Sequence, residues 1–305
     1  MSSNFNNVLH DKTEEVSEII LKQIPMEKAP SRVIFEAMNY SVSNGGKRLR
    51  PIMMREAYRA LGGDEKLEEK LLNPFLAAME MIHSYSLVHD DLPEMDNDMY
   101  RRGKLTTHAV YGQAMGVLTG DALLNLAYET AGKAMTNVAD DHDLLKRAAK
   151  AFGILSTKAG SYGMVGGQVV DIINTGKEIG ETEIQFIYEL KTAALIEASL
   201  MIGAALAGAD DEAVKKMETV GSCTGVAFQI KDDILDETST DEVLGKPVHS
   251  DEENNKTTYV TLHGLEDSQN KVDELTGEAE KVLKEMNLEG SFLAELLNSL
   301  ITRIK

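Results

Sequence analysis

The stretch NPFLAAMEMIHSYSLVHDDLP, residues 73–93, decides the fold class of this chain. Its apolar residues recur at steps of three and four, which is the spacing of one face of an α-helix. Asn73-Pro74 is a typical helix start, an N-cap candidate followed by proline at the first helical position. Leu92-Pro93 indicates the end, because the residue before a proline disfavours the α conformation. The stretch therefore predicts a helix over residues 73–91 that closes on the pair Asp90-Asp91.

Helical spacing also dominates the rest of the chain, and the sequence shows no sustained strand alternation. Further helices are predicted over residues 121–135, 144–162, 183–206 and 211–234. The breaks fall at residues 43–46, 62–63, 96–107, 174–180 and 237–256. None of them is a long Pro/Gly/Ser linker, and the apolar pattern resumes after each. The sequence therefore predicts an all-α protein that forms one domain over residues 1–305.

Four glycines, Gly160, Gly163, Gly166 and Gly167, lie within an otherwise helical stretch. Each costs about 1 kcal/mol relative to alanine inside a helix, so each needs a physical reason. Close helix–helix packing is one reason and close approach of a ligand is another. The spacing alone favours packing.

Composition restricts the function classes. The chain has 50 acidic against 31 basic residues, a formal net charge of −19, which argues against a nucleic-acid binder with a cationic face. Cys223 is the only cysteine, so no intrachain disulfide can form, as expected in a reducing compartment. The first residues lack the pattern of a secretory signal, and the longest apolar run, residues 198–209, is too short for a membrane span. We expect a cytoplasmic protein without a membrane span.

Two carboxylate clusters close predicted helices. One is Asp90-Asp91-Leu92-Pro93-Glu94-Met95-Asp96 and the other is Asp232-Asp233-Ile234-Leu235-Asp236, in which the first and last Asp share a helix face. A solvated helix end is the plain alternative, but carboxylates at a helix C-terminus oppose the helix dipole. Hard oxygen ligands of this kind suit Mg²⁺, which leaves other coordination positions to water and phosphate. The clusters therefore indicate a bound cation.

Basic residues also cluster, at residues 45–51 and 101–104. Arg presents a planar fork to phosphate oxygens, and Lys supplies a compact point charge. Either group taken singly reads as a solvated basic loop. Together with the Asp clusters, the two groups predict a site for a magnesium-bound diphosphate and a second anionic substrate.

In this combination the residues resemble the trans-isoprenyl diphosphate synthases. The two Asp motifs are followed or preceded by further landmarks of that family in the expected order. These are Gly45–Pro51, Arg101-Arg102-Gly103, Gly120-Asp121, Gly167–Asp171, Lys191-Thr192-Ala193, Phe228–Asp236, Gly245-Lys246-Pro247 and Asn255-Lys256-Thr257. The resemblance implies a bundle of long antiparallel helices around a deep central cavity, usually as a homodimer.

The resemblance also implies magnesium and its ligands. In the family three Mg²⁺ ions bind with the two Asp motifs and the allylic diphosphate. The ligands carried over are Asp90, Asp91, Asp96 and Asp232, with Asp233 and Asp236 acting directly or through water.

The substrates implied are isopentenyl diphosphate and an allylic diphosphate. The allylic diphosphate would bind Arg101, Lys191 and Lys246, with Lys256 nearby. The diphosphate of isopentenyl diphosphate would bind the Gly46 backbone, Lys47, Arg50, His83 and Arg102. Thr192 and Gln229 would face the reacting carbons, so the catalytic set is Lys191, Thr192, Gln229, Asp90 and Asp232. The implied reaction is a magnesium-assisted head-to-tail condensation of dimethylallyl or geranyl diphosphate to farnesyl diphosphate.

The resemblance also implies what sets product length: in the family the residue five before the first Asp helps to form the floor of the pocket, and here it is Tyr85, with Ser86 next. Five helical residues correspond to roughly 7.5 Å, somewhat more than one isoprene unit. A bulky Tyr there favours stopping at the C15 product, farnesyl diphosphate. Tyr85 as a packed or interface aromatic stays open, and so does a geranylgeranyl (C20) synthase, because the four-residue gap in the first Asp motif occurs in both types.

Other classes fit the sequence less well. Glu80 and His83 match half of a di-iron motif, and no second such unit occurs in the sequence. A terpene cyclase would not carry Asp-Asp-x-x-Asp as its second site, and a non-catalytic partner subunit would typically have lost one Asp motif. Ala109 and His249 depart from the residues common in the family, with no reason to abolish the chemistry.

Overall fold

The computed structural model describes residues 3–26, 28, 30–238 and 257–302, and over these residues the protein is all-α, as predicted. In the order of the chain, α1 to α7 are Ser3–Gln23, Arg32–Ser43, Leu49–Ala60, Asn73–Asp90, Thr107–Tyr111, Gln113–Asn137 and His142–Ala159. α8 to α13 are Met164–Asn174, Glu181–Ile187, Ala194–Ala207, Asp211–Thr238, Tyr259–Glu285 and Phe292–Ile301. A short hairpin, β1 (Tyr100–Arg101) and β2 (Lys104–Leu105), lies between α4 and α5.

Helix α4 confirms the prediction made from residues 73–93, with one correction at its start. A π-helical turn, Glu68–Leu72, runs directly into α4, so the N-cap position is Leu72 and Asn73 is already helical. Asn73 therefore does not cap the helix. Apolar side chains such as Phe75, Leu76 and Ile82 are fully buried, which makes α4 a core helix.

The second Asp motif also differs from its predicted place. α11 extends to Thr238, so Asp232, Asp233 and Asp236 lie inside its last turns rather than at its end. The break predicted at residues 96–107 holds the antiparallel hairpin, in which Tyr100 pairs with Leu105 and Arg101 with Lys104. Strands this short carry no alternation that a sequence pattern could reveal.

The described residues form two compact units. The first is drawn from residues 1–55, 62–152 and 206–208, and the second from residues 56–61, 153–205 and 209–305. In the first unit α4 packs on α6, α1 and α2. In the second, α11 packs along α12 and against the π-helical turn Tyr188–Ala193, and α13 covers part of both helices. The single domain around a central cavity stays a prediction.

One stretch of the described chain, Glu181–Ala207, is long and apolar enough to cross a membrane by length and composition. However, 72% of its most apolar window is buried within the protein. Burial of this extent is what a core helix of a folded protein shows, so the stretch needs no membrane to cover it.

Candidate active site

The first Asp motif forms a tight turn at the end of α4. The Asp96 N–H donates to the Asp90 carbonyl at 2.8 Å, and the Asn97 N–H donates to the Leu92 carbonyl at 3.0 Å. These bonds fold the five intervening residues back, so the backbones of Asp90 and Asp96 meet although they are six positions apart. Asp90 is half-buried and Asp96 is exposed. The turn thus leaves the carboxylates of Asp90 and Asp96 at least partly accessible to solvent.

Asp91 takes a different environment from its neighbours. It is only 4% exposed, and Nε and Nη2 of Arg101 both lie 2.6 Å from its Oδ1. Burial raises the pKa of Asp91, and the hydrogen bond and charge of Arg101 act against that rise. A metal ion at Asp91 would therefore share the carboxylate with Arg101.

The hairpin explains how Arg101 and Arg102 are positioned. Its two loop residues, Arg102 and Gly103, have φ of 52° and 74°, as in the primed turns that fit the twist of a two-residue hairpin. Arg102 donates to the Gly45 carbonyl, and a Cβ on Gly46 would lie 2.6 Å from Arg102 Nη1. Gly46 is thus required for the close approach of the guanidinium. An Arg-Gly pair is a weak hairpin signal, and the sequence analysis missed it.

A partly buried cationic cluster lies in the same unit. Arg50 Nη1 is 3.5 Å from His83 Nε2, and Arg50 Nε is buried with no hydrogen-bond partner among the described residues. Burial, followed by the charges of Arg50, Arg102, Arg101 and Arg48, holds the pKa of His83 well below its ordinary 6.5. Burial also lowers the pKa of Arg50. Such a concentration of positive charge favours an anion.

The two basic residues Lys47 and Arg48 of the Gly45–Pro51 motif lie in different environments. Arg48 is buried, with Nη1 2.6 Å from Glu80 Oε1 and Nη2 2.6 Å from the Val42 carbonyl. Glu80 is therefore used by an ion pair inside the unit, which agrees with the rejection of a di-iron site. Lys47 is exposed and can reach a ligand in solvent.

Tyr85 is 6% exposed and is braced by His89. The two rings meet edge to face at 5.8 Å, and burial is the main cause that raises the pKa of Tyr85 to about 12. His89 Nε2 lies 3.1 Å from the Val117 carbonyl oxygen. A Cβ on Gly120 would lie 2.0 Å from His89 Nε2. Gly120 therefore makes room for His89. The Ser86 hydroxyl donates to the His83 carbonyl at 3.0 Å.

In the second unit, Lys191 and Thr192 lie in the π-helical turn Tyr188–Ala193. Lys191 Nζ is 2.5 Å from Asp171 Oδ2, and the Thr192 hydroxyl donates to Gln229 Oε1 at 3.0 Å. π-helical turns occur frequently at functional sites because they change the direction of side chains. The apolar spacing of residues 183–206 predicts a continuous helix here, since an extra residue in a turn leaves that spacing nearly unchanged.

Glycine packing holds this turn in place. A Cβ on Gly167 would lie 2.2 Å from the Lys191 backbone nitrogen, so α8 touches the turn at its backbone. For Gly167 the packing explanation is confirmed. Asp171, a family landmark with no role predicted from the sequence, follows on the same helix and pairs with Lys191.

The second Asp motif divides into buried and accessible carboxylates. Asp233 is 4% exposed and accepts hydrogen bonds from the Tyr188 hydroxyl, from Gln229 Nε2 at 3.2 Å and from the Tyr259 N–H at 3.3 Å. Asp236 is also buried, whereas Asp232 is half-buried. A cavity of about 160 Å³ lies here, lined among others by Asp171, Lys191, Thr192, Gln229 and Asp233.

The described residues fit magnesium only as an open site. No group of three or more His, Cys, Asp or Glu side chains among them is arranged to enclose a metal ion. Asp90, Asp96 and Asp232 offer hard carboxylate oxygens that solvent reaches, and Mg²⁺ usually binds through one or two carboxylates with water and substrate phosphates. Within each unit taken by itself, the accessible carboxylates therefore suit Mg²⁺ that arrives with a diphosphate. Lys246, Lys256 and His249 lie outside the described residues.

Comparison with known proteins identifies relatives over nearly the whole chain. A family model described as polyprenyl synthetase matches residues 31–288. Farnesyl diphosphate synthase of Geobacillus stearothermophilus is 37% identical over 302 residues, 97% of this chain and 96% of the relative. The Bacillus subtilis farnesyl diphosphate synthase is 40% identical over 88% of each chain. Geranylgeranyl diphosphate synthase of Cyanophora paradoxa is 39% identical over 92% of this chain and 91% of the relative.

Solved structures agree with the sequence relatives. An FPP/GFPP synthase from Zymomonas mobilis has a TM-score of 0.82 at 29% identity and covers 100% of both chains. A geranyltransferase from Helicobacter pylori complexed with magnesium and isoprenyl diphosphate has a TM-score of 0.81 at 31% identity, covering 99% of this chain and 97% of the other. The fold is therefore that of the all-α isoprenyl synthases. The chain belongs to the polyprenyl synthetase family, and the resemblance drawn from its motifs is confirmed.

Proposed function

We propose that this chain is a trans-prenyltransferase that makes farnesyl diphosphate. Its substrates are isopentenyl diphosphate and the allylic diphosphates dimethylallyl and geranyl diphosphate. The observation that carries the proposal is the partly buried cluster of Arg48, Arg50, Arg101 and Arg102 around His83, in a unit that also presents the first Asp motif. Relatives named farnesyl diphosphate synthase, similar over almost the whole chain, support the same activity.

The proposed metal ligands are the carboxylates of both Asp motifs. Asp90, Asp91 and Asp96 are the ligands proposed in the first unit and Asp232 is the ligand proposed in the second, with Asp233 and Asp236 acting directly or through water. When bound, three Mg²⁺ ions would neutralise the diphosphate that leaves the allylic substrate. The exposed or half-buried state of Asp90, Asp96 and Asp232 supports this assignment, and the hydrogen bonds already made by Asp233 favour an indirect role for it.

The proposed contacts to the substrates follow the charges of the described residues. Arg101 and Lys191, each held by an Asp, bind the allylic diphosphate together with Lys246, and Lys256 lies near it. Arg50 and His83 bind the diphosphate of isopentenyl diphosphate with Lys47, Arg102 and the Gly46 backbone. An anion beside His83 offsets the arginine charges that depress the pKa of His83.

In the proposed reaction the allylic carbon–oxygen bond breaks, and its electron pair leaves with the diphosphate. The double bond of isopentenyl diphosphate then attacks the allylic cation and forms the new carbon–carbon bond. Loss of a proton to the departing diphosphate restores a double bond. No side-chain nucleophile is required. Thr192 and Gln229, joined by a hydrogen bond, face the reacting carbons and replace water there.

The proposed product is the C15 diphosphate, because Tyr85 is a buried aromatic ring in edge-to-face contact with His89. Geranylgeranyl diphosphate is the second candidate. A C20 synthase at 39% identity is as similar to this chain as the C15 synthases, which are 37% and 40% identical.

We also propose that the enzyme is a homodimer without a membrane span and that it acts in the cytoplasm. Val117 and Leu118 on α6 are large apolar side chains exposed in the single chain, and a partner that buries them would offset the cost of their exposure.

The test is a condensation assay with the purified chain, Mg²⁺, isopentenyl diphosphate and C5, C10 or C15 allylic primers. We expect C15 as the main dephosphorylated product on a chromatogram and no turnover after chelation of the metal. Asp232→Asn should lower turnover by orders of magnitude while its unfolding midpoint stays near that of the wild type. Absence of product with every primer would overturn the proposal.

A further inference from the structure

Tyr188 lines the cavity of the second unit but has no role in the reaction proposed above. It opens the π-helical turn that also carries Lys191 and Thr192, and all three residues line the cavity of about 160 Å³. Tyr188 is 6% exposed, and its ring belongs to an apolar cluster that includes Ile184 and Ile230. Packing accounts for the ring of Tyr188, whereas its hydroxyl depends on polar contacts.

The hydroxyl of Tyr188 has a fixed direction. The Tyr259 backbone N–H donates to the hydroxyl oxygen at 3.1 Å, and the hydroxyl donates to Asp233 Oδ2. Because an N–H group can only donate, the hydroxyl accepts on that side and directs its own proton to the carboxylate. The same N–H also lies 3.3 Å from Asp233 Oδ2. Tyr188 is therefore a directed donor to Asp233.

Asp233 passes this orientation to Gln229, one helical turn earlier on α11. Gln229 Nε2 donates to Asp233 Oδ1 at 3.2 Å, and Gln229 Oε1 accepts from the Thr192 hydroxyl at 3.0 Å. A carboxylate only accepts hydrogen bonds, so the amide presents its NH₂ group to Asp233 and its oxygen to Thr192. Asp233 thereby decides which end of the amide Thr192 meets.

Thr192 is the last residue of this chain of hydrogen bonds. A hydroxyl group has one proton and two lone pairs, and the Thr192 proton is used in the bond to Gln229 Oε1. A group in the cavity therefore meets the lone pairs of Thr192 and not its proton. Oxygen lone pairs attract a developing positive charge, whereas an O–H proton repels it. The chain of hydrogen bonds thus prepares Thr192 to face a carbocation.

We infer that Tyr188 is a positioning residue of the proposed condensation. Its hydroxyl fixes Asp233, and through Asp233 and Gln229 it keeps the lone pairs of Thr192 turned to the allylic cation. This role rests on the proposed function, and it adds to that function a residue that acts through others and not on the reacting atoms.

Loss of this order has a chemical consequence that loss of packing does not have. Once the amide of Gln229 is free to turn, its NH₂ group can face Thr192, and the Thr192 proton then points into the cavity. The allylic cation is less stabilised, and water competes with isopentenyl diphosphate for it. The oxygen of water forms a new carbon–oxygen bond, and a proton of that water passes to the diphosphate. An allylic alcohol is released in place of the condensed product.

The test compares Tyr188→Phe with Tyr259→Phe in the full chain. Tyr188→Phe keeps the packed ring and removes the hydroxyl. Tyr259→Phe makes the same chemical change beside the site, where the backbone N–H of Tyr259 takes part in the hydrogen bonds and is retained. We expect Tyr188→Phe to lower kcat about tenfold, the worth of one hydrogen bond to a charged group, with KM for both substrates nearly unchanged. Tyr259→Phe should match the wild type.

The released alcohol is the readout that a purely structural role would not change. Geranyl diphosphate and isopentenyl diphosphate are supplied in water enriched in ¹⁸O, and the products are extracted without phosphatase treatment. We expect the ratio of ¹⁸O-labelled C10 alcohol to condensed product to rise at least about fivefold in Tyr188→Phe alone. An unchanged ratio, or a raised KM at unchanged kcat, would overturn the role of Tyr188, while condensation by the wild type would leave the proposed function in place.

Side-chain amide NMR tests the chain of hydrogen bonds without turnover. The Gln229 NH₂ signals of the ¹⁵N-labelled protein are assigned by their absence in Gln229→Glu. Their hydrogen exchange should be faster in Tyr188→Phe than in the wild type or in Tyr259→Phe. Equal exchange in all three proteins would contradict the link from Tyr188 to Gln229. Absence of condensation by the wild type would instead overturn the proposed function and, with it, the role of Tyr188.

Discussion

His83 shows how one residue reports the charge of a site. Its ring is held neutral by burial and by the positive charges of four neighbouring arginines, which lower its pKa. Neutral histidine at this place leaves the proposed anion site cationic through its arginines alone. Binding of a diphosphate would remove much of that repulsion, so the protonation of His83 and the binding of the anion are coupled.

Because the pKa of His83 is depressed in the folded protein, the protein should lose stability as the pH is lowered. The unfolded chain takes up a proton near pH 6.5, whereas the folded chain takes it up only at lower pH, so the unfolded state gains protons first. We expect the thermal midpoint of the wild type to drop between about pH 6.5 and 5 by more than that of His83→Gln. Inorganic diphosphate should reduce the drop in the wild type only. Parallel curves for both proteins would contradict the shifted pKa.

Tyr85 makes a prediction about product length. Tyr85→Ala removes the ring that His89 braces, so chains longer than C15 should appear in the assay. Tyr85→Phe keeps the ring and loses only the hydroxyl, and it should keep the C15 product. If Tyr85→Ala still stops at C15, then Tyr85 is a packing residue and the length limit lies elsewhere.

At the scale of elements, the π-helical turn Tyr188–Ala193 depends on one glycine of α8. Gly167 lets α8 approach the turn that carries Lys191 and Thr192, and Asp171 on the same helix pairs with Lys191. The turn also supplies the Tyr188 hydroxyl to Asp233 of α11. One packing contact thus holds residues of three elements in place.

Gly167→Ala should disturb this arrangement. The added methyl group would lie 2.2 Å from the Lys191 backbone nitrogen, where neither backbone can give way cheaply. We expect a loss of about 1–3 kcal/mol in the free energy of unfolding together with a loss of turnover. The matched control is Gly132→Ala on α6, where an added Cβ meets nothing within 4 Å, and it should stabilise the protein by about 0.5–1 kcal/mol. Urea unfolding measures both, and equal effects would contradict the packing argument.

At the scale of the whole molecule, the net charge of −19 taken as a total would repel anionic substrates. The charges are not spread evenly over the chain, however. Part of the excess of acidic residues lies in the two Asp motifs, where cations bound by the carboxylates would attract a diphosphate. Part of the scarce basic charge is gathered around His83. The distribution of charge, and not its sum, agrees with the proposed substrates.

The proposed homodimer can be tested on the exposed face of α6. Leu118 is 53% exposed, and Leu118→Glu would place a charge in an interface that buries it, so the dissociation constant should rise by about tenfold or more. Leu265→Glu on α12 is the control. Leu265 is 43% exposed, and this substitution makes the same Leu-to-Glu change outside α6. Analytical ultracentrifugation distinguishes the two. A monomeric wild type, or equal dissociation in both variants, would contradict this interface.

The helices and the family could be predicted from the chain alone. Apolar spacing predicted α4 almost to the residue, and the ordered motifs predicted the polyprenyl synthetase family that the relatives confirm. The hairpin at residues 100–105 and the π-helical turn at Tyr188–Ala193 escaped prediction. Each depends on backbone geometry over a few residues, which leaves no periodic signal.

By itself the sequence determined the all-α class and the residue types of the site, because helix spacing and motif order are local properties of the chain. Tertiary structure alone decided how individual motif residues are used. It pairs Arg48 with Glu80, Asp91 with Arg101 and Asp233 with Tyr188, and it leaves Asp232 reachable from solvent. The physical reason is that hydrogen bonds and burial depend on which distant segments meet, and identical aspartates in one motif differ only in those neighbours.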